Sequence, residues 1–499
     1  MDQATPTGPT TASEPLTQRE IRIIIIGLMV ALLLAALDQT IIATALPTIG
    51  RELGDLEHLP WVVTSYLLTA TVATPLYGKF SDAHGRRITM LIGIVVFILG
   101  SIACALAPSM LILILARGLQ GLGGGGLMAL SQTIVADLVP PRERGRYQVY
   151  FASVFMTSSL AGPVLGGFFA EHLHWSMIFW INLPLGLLAF LISYRGLKRL
   201  PRFERPHKLD WFGAFLLVAA TVSILLALSW GGIRYPWASV QILAAVALSA
   251  MCWVLFGWRM RTATEPLIPA GVLHNPVVRM GVLAACFGMG TYIGLTIYLP
   301  VYFETVRGLS ASHSGLALIP LMAGTVIGAN VSGQMMAKVT HYKRVPVIGL
   351  TASLVGTGIL VLAEPHLSLV GIEIVLAFLS VGLGTLLPVS TVAIQNAVRP
   401  HELGTATGVA NFFRSIGGAF IVAIFGSIIL GLSGVGGASS FEAVGPAAAL
   451  HGADLAAAFR YVFAAAFVGF GLALFFLARM KELPLRGSAV RAAEAAIAD

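Results

Sequence analysis

The chain contains few charged residues. Asp, Glu, Lys and Arg make up 11% of its 499 residues, whereas an ordinary soluble chain has roughly 25%. Hydrophobic residues make up 57%. Too few residues are charged to cover a surface that faces water. The composition therefore excludes an ordinary soluble globular protein and predicts a chain embedded in a lipid bilayer.

Residues that usually carry chemistry are also scarce. The cysteines, Cys104, Cys252 and Cys286, are odd in number and lie inside apolar segments, so we expect packing thiols and no disulfides. The histidines are scattered, and we find neither metal-ligand spacing nor a nucleophile motif. The sequence therefore predicts a protein that is not an enzyme and has no cofactor and no metal site.

Apolar segments of about 20 to 28 residues recur along the whole chain between short charged loops, as in polytopic helical membrane proteins. The polar residues 1–18 are not followed by a cleavage signal, so the first segment is expected to remain as an anchor. We count fourteen predicted spans, which begin near Ile21, His58, Ile88, Met110, Gly145, His174, Leu209, Ser239, Pro276, His313, Lys343, Leu367, Glu402 and Leu455.

Lysine and arginine predict the orientation. By this assignment about 25 of the 31 fall in terminal segments and loops on one side, and few basic residues such as Arg51 and Arg307 fall on the other. The positive-inside rule then places both termini in the cytoplasm of a protein of the inner membrane. The same asymmetry accounts for the formal charge of +8, so no nucleic-acid partner is expected.

Two stretches read as copies of one unit. Residues 60–87 and 313–344 both run through a span rich in Gly, Ala and Thr into a basic loop, with Ala337 in the second copy where Asp82 stands in the first. Matching halves are typical of transporters whose repeats rock around a site at the membrane midplane.

Short glycine-containing motifs occur in a fixed order along the chain. "GKFSDAHGRR" (78–87) is followed by "ARGLQGLGGG" (116–125) and "GPVLGG" (162–167), with "LDQTIIATALP" (37–47) before them and "INLPLG" (181–186) after. Together they resemble the signatures of the major facilitator superfamily, in its fourteen-span drug/proton antiporter branch of the EmrB/QacA type. The resemblance covers essentially all of the spans.

This resemblance implies an all-α membrane protein with the major facilitator superfamily fold and 14 transmembrane helices. It divides the chain into a cytoplasmic tail (1–20), a six-helix bundle (21–196), a linker with two additional helices (197–272), a second six-helix bundle (273–482) and a cytoplasmic tail (483–499). Such proteins ordinarily work as monomers by alternating access.

Asp38 and Arg117 are charged residues inside predicted spans. Asp38 lies roughly 25 Å beyond Ile21 at ~1.5 Å per residue, and Arg117 lies at a similar height on a span that runs the other way. A carboxylate in a span costs on the order of 2.5 to 3.5 kcal/mol, so Asp38 should face a partner or a polar cavity.

Two interpretations of this pair remain open. Asp38 and Arg117 could form a permanent ion pair that fixes the first and fourth helices together. Alternatively, Asp38 is the main proton carrier and Arg117 tunes it, since burial favours the neutral form of a carboxyl group and a nearby guanidinium favours the charged form. A conformational change that alters their separation would then switch the protonation of Asp38.

The loop predicted after the second span suggests a charged latch. Its glycines should permit a tight reversal, while Asp82 and Arg86 offer opposite charges near helix ends. Such a cluster would latch one bundle in the outward-facing state and break on inward opening; the alternative is that the basic residues only set topology. The latch hypothesis comprises Gly78, Asp82, Gly85, Arg86, Arg87 and Asp137.

"GPVLGG" places a proline in the middle of a span, where it removes a backbone hydrogen bond and bends the helix, while glycines permit close helix contact. The resemblance implies an antiporter motif formed by Gly162, Pro163, Gly166 and Gly167. A packing role alone is the alternative.

Ten further polar residues are predicted to line a substrate cavity, and each could equally form a hydrogen bond between helices. Glu304 could attract a cationic substrate or pair with Arg307 at the surface, and Glu373 is a weaker second acidic candidate. The ten are Gln39, Thr40, Tyr66, Gln120, Asn182, Tyr298, Glu304, Asn330, Asn411 and Arg414.

The sequence therefore predicts a proton-coupled antiporter that exports lipophilic, often cationic, drugs or dyes across the inner membrane. Its expected partners are a small amphipathic organic substrate, protons and the lipid bilayer. Two alternatives remain: an exporter of a cell-made metabolite or antibiotic with a narrower pocket, and a membrane scaffold or sensor that does not transport.

Overall fold

The structure of the protein is a computed structural model that describes residues 17–55, 58–199, 210–232, 234–432 and 452–485. Parts of the predicted tails (1–20 and 483–499), of the linker around 196–208 and of the loop around 431–453 fall outside these residues. The described residues are helical and contain no strand beyond one isolated bridge between Gly231 and Tyr235.

Eighteen α-helices are described, with short 3-10 turns at Leu197–Arg199, Glu364–His366 and Pro400–Glu402. In chain order the helices are α1 (Gln18–Leu53), α2 (Pro60–His84), α3 (Arg86–Ala105), α4 (Met110–Leu138), α5 (Pro141–His172), α6 (Met177–Trp180), α7 (Asn182–Gly196), α8 (Trp211–Trp230), α9 (Val240–Thr262), α10 (Ala270–His274), α11 (Pro276–Thr305), α12 (Ala311–Leu316), α13 (Ile319–Lys338), α14 (Arg344–Ala363), α15 (Leu369–Gly384), α16 (Leu386–Asn396), α17 (Leu403–Leu432) and α18 (Gly452–Arg479).

Local sequence accounts for several helix boundaries. Thr17 and Glu20 form a capping box at the start of α1, and the Asp210 carboxylate accepts the Gly213 N–H at the start of α8 (3.0 Å). At the other end of α1, Gly54 adopts φ 73° and closes the helix. Short polar connections therefore start and stop the long apolar helices.

Thirteen segments of the described chain are helical, long enough and apolar enough to cross a membrane. The helix α2, with 25 residues, is not among them, because its Thr, Ser and Tyr residues make it less apolar. The sequence-based count of fourteen spans includes α2. The 13 apolar helices describe a multi-pass integral membrane protein.

Buried side chains divide the long helices into two halves. Two clusters of buried apolar side chains lie within α1–α7, which we call the N-terminal half, and the largest cluster extends from Val277 to Met480 in α11–α18, the C-terminal half. Between the halves in sequence, α8 and α9 pack on each other, and α8 also contacts α2 and α17. Large apolar side chains on the outer faces, such as Leu362 (74% exposed), suit contact with lipid.

The two halves contact each other backbone to backbone at one end of the molecule. We call this the basic end, because the arginine-rich connection between α2 and α3 lies there, and the opposite one the far end. A Cβ atom added to Gly145 of α5 would lie 2.9 Å from the carbonyl oxygen of Gly333 in α13. One added to Gly78 of α2 would meet the backbone of Gly404 in α17. Glycine at these crossings permits the close approach.

Apolar side chains fill the space between the two crossings. Ala136 of α4 is 3% exposed and packs in one cluster with Val282 of α11 and with Leu403 and Ala406 of α17. This cluster joins the N-terminal and C-terminal halves at the basic end. The basic end is therefore closed in this conformation.

Replacing Gly333 by Leu is expected to separate α5 from α13 at the basic end. Overpacking costs about 1–3 kcal/mol, which corresponds to a population shift of roughly 5- to 150-fold towards an open basic end. The readout is maleimide labelling of Ala136→Cys, followed peptide by peptide by mass spectrometry, and labelling should accelerate by that factor.

The matched control is Gly167→Leu, because a Cβ at Gly167 would meet nothing within 4 Å. It should leave the labelling rate near that of the parent. An equal rate in Gly333→Leu and the parent would contradict the close crossing as the element that holds the basic end shut.

Candidate functional site

Asp38 lies at the centre of a polar network inside the N-terminal half. Its carboxylate accepts three hydrogen bonds, from Arg117 Nη1 (2.6 Å), Gln120 Nε2 (2.8 Å) and Asn182 Nδ2 (3.0 Å). Asp38 and Arg117 are each 1% exposed. The one-turn spacing of Arg117 and Gln120 on α4 aims both side chains at α1. Three side-chain donors from two other helices therefore converge on the Asp38 carboxylate.

Arg117 extends the network to neighbouring helices. Its Nε donates to the backbone carbonyl of Val62 at the start of α2 (3.0 Å), and its Nη1 also donates to Gln120 Oε1 (2.5 Å). The Tyr66 ring of α2 covers the guanidinium, with 4.4 Å from Cζ to the ring centroid. Arg117 therefore ties α1, α2 and α4 together through contacts that require its charge.

Ser101 of α3 completes the network. It accepts hydrogen bonds from Gln120 Nε2 (2.7 Å) and Asn182 Nδ2 (3.3 Å) and is fully buried. The sequence reasoning assigned Gln120, Asn182 and Tyr66 to the substrate cavity; the structure places all three in the Asp38 network. A lone serine in an apolar span gives no sequence signal that it belongs there.

A cavity of about 580 Å³ lies between the halves. Its walls come from the far-end portions of α1, α2, α8, α11 and α17 together with Phe155 of α5, and they consist mostly of Leu, Ile, Val, Ala and Gly. The polar residues among them are Gln39, Thr64, Thr71, Ser229, Tyr298, Ser415 and Ser427. Of the ten residues predicted to line a substrate cavity, Gln39 and Tyr298 line this one.

Asp38 does not belong to this cavity wall. Gln39, its neighbour in sequence, lines the cavity, as do Leu67 and Leu68, which follow Tyr66 on α2. Asp38 and Arg117 are not part of the lining. In this conformation the carboxylate is therefore buried and does not face the cavity.

A much smaller pocket, of about 10 Å³, lies nearer the basic end where α4 meets α17. Asn411 Nδ2 donates to Gln132 Oε1 (2.9 Å), and Arg414 Nη2 contacts Met128 Sδ (3.1 Å). Both contacts cross from the C-terminal to the N-terminal half. Asn411 and Arg414 therefore line a pocket between the halves, whereas Gln132 was not among the predicted residues.

The Asp82 carboxylate of α2 binds the beginning of α17 in the other half. Its oxygens accept the backbone N–H groups of Gly404 (3.0 Å) and Thr405 (2.7 Å) and the Thr405 hydroxyl (2.7 Å). Free N–H groups and the positive end of the helix dipole make a helix start a favourable site for a carboxylate. A side chain of the N-terminal half therefore caps a helix of the C-terminal half.

Arg86 joins Asp82 to Asp137. Its Nη1 donates to the Asp82 carboxylate and to Ser81 Oγ (2.8 Å), and its Nε donates to Asp137 Oδ2 (2.8 Å). The structure thus brings together the three charged residues Asp82, Arg86 and Asp137, as the sequence predicted. The missed residue, Thr405, lies between Gly404 and Gly408, whose four-residue spacing is a sequence signal for close helix contact.

Gly78 and Arg87, which were predicted to belong to the latch, have other roles. Gly78 lies inside α2 and not in a reversal, since the helix continues to His84; it permits the close crossing with α17. Gly85, at φ 92°, alone provides the turn between α2 and α3. The Arg87 guanidinium stacks over the Tyr194 ring of α7 (4.6 Å), away from Asp82.

The "GPVLGG" motif packs α5 against α1. A Cβ at Gly162 would meet Thr40, and one at Gly166 would meet Ile41 and Thr44 of α1. The Thr40 hydroxyl donates to the Ser158 carbonyl of α5 (2.8 Å), so Thr40 lies in this contact and not in the cavity lining.

α5 remains a single helix through Pro163, and Gly167 has nothing within 4 Å of an added Cβ. The motif therefore has two glycines at the helix contact, one proline within the helix and one glycine that faces open space.

The remaining predicted cavity residues lie elsewhere. Glu304 is exposed and accepts a hydrogen bond from Ser314 Oγ (2.8 Å), and the expected pair with Arg307 is not formed, because Arg307 binds Glu364 (2.9 Å). Asn330 is exposed and accepts a hydrogen bond from Gln334 (2.7 Å) on its own helix.

Glu373 lies part-exposed near the start of α15, outside the cavity lining. Among the described residues, no group of three His, Cys, Asp or Glu side chains is placed to hold a metal ion. The three cysteines are free thiols.

Comparison with known proteins agrees with this architecture. The Major Facilitator Superfamily profile matches residues 28–422. The chain is 34% identical over 421 residues to the Multidrug transporter protein MdtP of Bacillus subtilis (strain 168), covering 83% of this chain and 76% of the relative. It is 33% identical over 411 residues to Multidrug resistance protein 3 of the same organism, covering 82% and 80%.

Solved structures share the fold at low sequence identity. The proton:xylose symporter XylE superimposes with a TM-score of 0.65 at 15% identity, covering 94% of this chain and 98% of that one. The human organic anion transporter MFSD10 (TETRAN) superimposes with a TM-score of 0.64 at 18% identity, covering 92% and 100%. With its apolar helices, paired halves and motif residues in place, this multi-pass membrane protein belongs to the Major Facilitator Superfamily.

Proposed function

We propose that the protein is a proton-coupled efflux antiporter that exports lipophilic, amphipathic drugs or dyes across the inner membrane. The observation that carries the proposal is the buried Asp38–Arg117 pair beside a large apolar cavity. The names of the Bacillus relatives, a multidrug transporter and a multidrug resistance protein, support the efflux direction and the substrate class.

The proposed topology has fourteen spans, with α2 as the fourteenth and with both termini and the basic end in the cytoplasm. The halves then correspond to two six-helix bundles, and α8 and α9 are the additional pair. With the basic end closed and the cavity towards the far end, we assign this conformation to the outward-facing state. We also propose that the protein acts as a monomer.

Coupling begins at Asp38. A proton that arrives through the cavity, past Gln39 and Tyr66, neutralises the carboxylate and leaves Arg117 without its counter-charge. An unpaired buried charge is costly, so the guanidinium moves and shifts α4 and α2, which it contacts directly. The neutral Asp38 therefore favours a different arrangement of these helices from the charged one.

The same two helices carry the latch. α2 contributes Asp82 and α4 contributes Asp137 at the basic end, so a movement that begins at Arg117 reaches the Asp82 cap on α17 along rigid helices. Release of the cap opens the basic end to the cytoplasm. Substrate binding and return of the proton to the cytoplasm then reset the cycle.

We propose one proton per cycle. Among the described residues, Asp38 is the buried carboxylate that lies well away from the helix ends. One charge that crosses a potential of 100 mV contributes about 2.3 kcal/mol. One proton suffices to drive export of a monovalent or neutral molecule.

Asp38→Asn is expected to abolish uphill export and to retain substrate binding. The amide mimics the protonated acid in size but cannot exchange a proton, so a pH gradient cannot be coupled to transport. The measurement is dye accumulation in proteoliposomes with an imposed pH gradient, alongside dye binding to the purified variant.

Asp55→Asn is the matched control, because Asp55 is a partly exposed acid at the far end that pairs with His58. The hydrogen bond from His58 lowers the pKa of Asp55, but this pair lies outside the network. Uphill accumulation by Asp38→Asn equal to that of the Asp55→Asn control would exclude Asp38 as the proton carrier.

Asp82→Asn is expected to weaken the cap on α17 and to populate the open basic end. Hydrogen bonds to a charged group contribute about 1.5–3 kcal/mol, so maleimide labelling of Ala136→Cys should rise roughly 10- to 150-fold. Glu143→Gln, an exposed acid on the same end of the molecule, is the control. Unchanged labelling in Asp82→Asn would contradict the latch.

A further inference from the structure

Arg414 lies at the contact between the two halves, so a movement of the halves apart would expose its side chain. It lies eleven residues into α17, or roughly 16 Å from the start of the helix, about halfway through a membrane core ~30 Å thick. Its neighbour Ser415 lines the large cavity, and Arg414 itself lines the small pocket between α4 and α17. Arg414 therefore lies on the face of α17 directed at the N-terminal half.

The guanidinium of Arg414 meets no counter-charge within the part of the chain that the structure describes. Its hydrogen bond is to the Met128 thioether (3.1 Å), which is a weak acceptor for a group with five N–H donors. No Asp or Glu oxygen of the described residues lies within 4.0 Å of it, in contrast to Arg86 and Arg117. A positive charge at this depth is expensive to hold without a partner.

The surroundings add donors and no negative charge. Gln132, 1% exposed, lines the same pocket, and its Nε2 has no hydrogen-bond partner. Neither the small pocket nor the large cavity has an Asp or Glu side chain among its described lining residues. A lipophilic cation would find no carboxylate there and would face the charge of Arg414.

We infer that Arg414 binds an acidic group of the transported molecule, so that the preferred substrates are organic anions with an apolar body. A carboxylate, sulfonate or phenolate supplies the missing counter-charge and can accept from Arg414 and Gln132 together. The apolar body fits the Leu, Ile and Val walls of the cavity. This assignment rests on the proposed efflux function and specifies anionic substrates, whereas the sequence alone predicted substrates that are often cationic.

The site is closed in the present conformation. A volume of about 10 Å³ holds one water molecule at most, and the Asn411–Gln132 and Arg414–Met128 contacts bridge the halves. Separation of α4 from α17 opens the site towards the basic end, and their closure expels the acidic group. An exporter needs this difference in affinity between its two states.

Substrate charge also fixes the electrical behaviour of the exchange. One proton entering while one monovalent anion leaves moves two positive charges inward, so an inside-negative potential accelerates transport. One proton exchanged for one monovalent cation moves no net charge. The response to potential therefore separates the two substrate classes without a mutation.

The experiment compares two xanthene dyes of opposite charge, anionic fluorescein and cationic rhodamine 6G, in proteoliposomes that contain the full chain and carry an imposed pH gradient. Wild type should export fluorescein at least tenfold faster than rhodamine 6G, and a valinomycin-set potassium potential should accelerate fluorescein alone. Arg414→Gln should raise the KM for fluorescein at least tenfold and should increase rhodamine 6G export. Arg414→Lys should restore most of the fluorescein export.

Arg460→Gln is the matched control, because Arg460 is exposed on α18, outside the cavity, and should leave the dye ratio unchanged. Melting temperatures of all variants separate misfolding from lost binding. Export of rhodamine 6G but not fluorescein by wild type, or an unchanged dye ratio in folded Arg414→Gln, would overturn the assignment while efflux stands. Export of neither dye by wild type would contradict the efflux function itself.

Discussion

A charge buried in a membrane must meet an opposite charge or several hydrogen-bond donors, and this constraint orders the functional parts of the protein. The Asp38 carboxylate is satisfied entirely within the N-terminal half by Arg117 and two amides. The Asp82 carboxylate pairs with Arg86 in its own half and also accepts hydrogen bonds from the start of α17, and those bonds exist only while α17 lies against it. The Arg414 guanidinium has no acidic partner among the described residues. We therefore propose that Asp38 carries the proton, that Asp82 controls the conformation and that Arg414 binds the substrate.

The two halves contribute unequally to the closed basic end. The α2–α17 crossing combines close backbone contact with the charged cap from Asp82, whereas at the α5–α13 crossing Gly145 and Gly333 bring the backbones together and Ala337 stands in the position equivalent to Asp82. An electrostatic change can therefore release one side, while the other acts as a packed contact about which the halves rock. In the proposed mechanism, this asymmetry lets a proton bound in the N-terminal half alone control a movement of both halves.

Much of this arrangement follows from the sequence. The height of Asp38 and Arg117 on antiparallel spans predicted their proximity, and the order of the motifs predicted the family. The partners across the halves could not be predicted, because Asp82 and Thr405 are 323 residues apart and no local pattern links them. The rotation of each helix about its axis could not be predicted either, because a polar residue in a span does not show which neighbour its side chain faces. Asn330 faces outward, and Arg87 contacts Tyr194.

The central claim is that protonation of Asp38 decides whether the basic end is open. Spin labels at Glu143→Cys and Lys338→Cys, on exposed positions of α5 and α13 at that end, would report the separation of the halves by electron–electron resonance between pH 8 and pH 5. We predict a short distance at pH 8, a growing long-distance population at pH 5, and a long distance at both pH values when Asp38→Asn is added. A distance distribution that does not change with pH in the parent, or one that still changes with pH in Asp38→Asn, would contradict the claim that protonation of Asp38 opens the basic end.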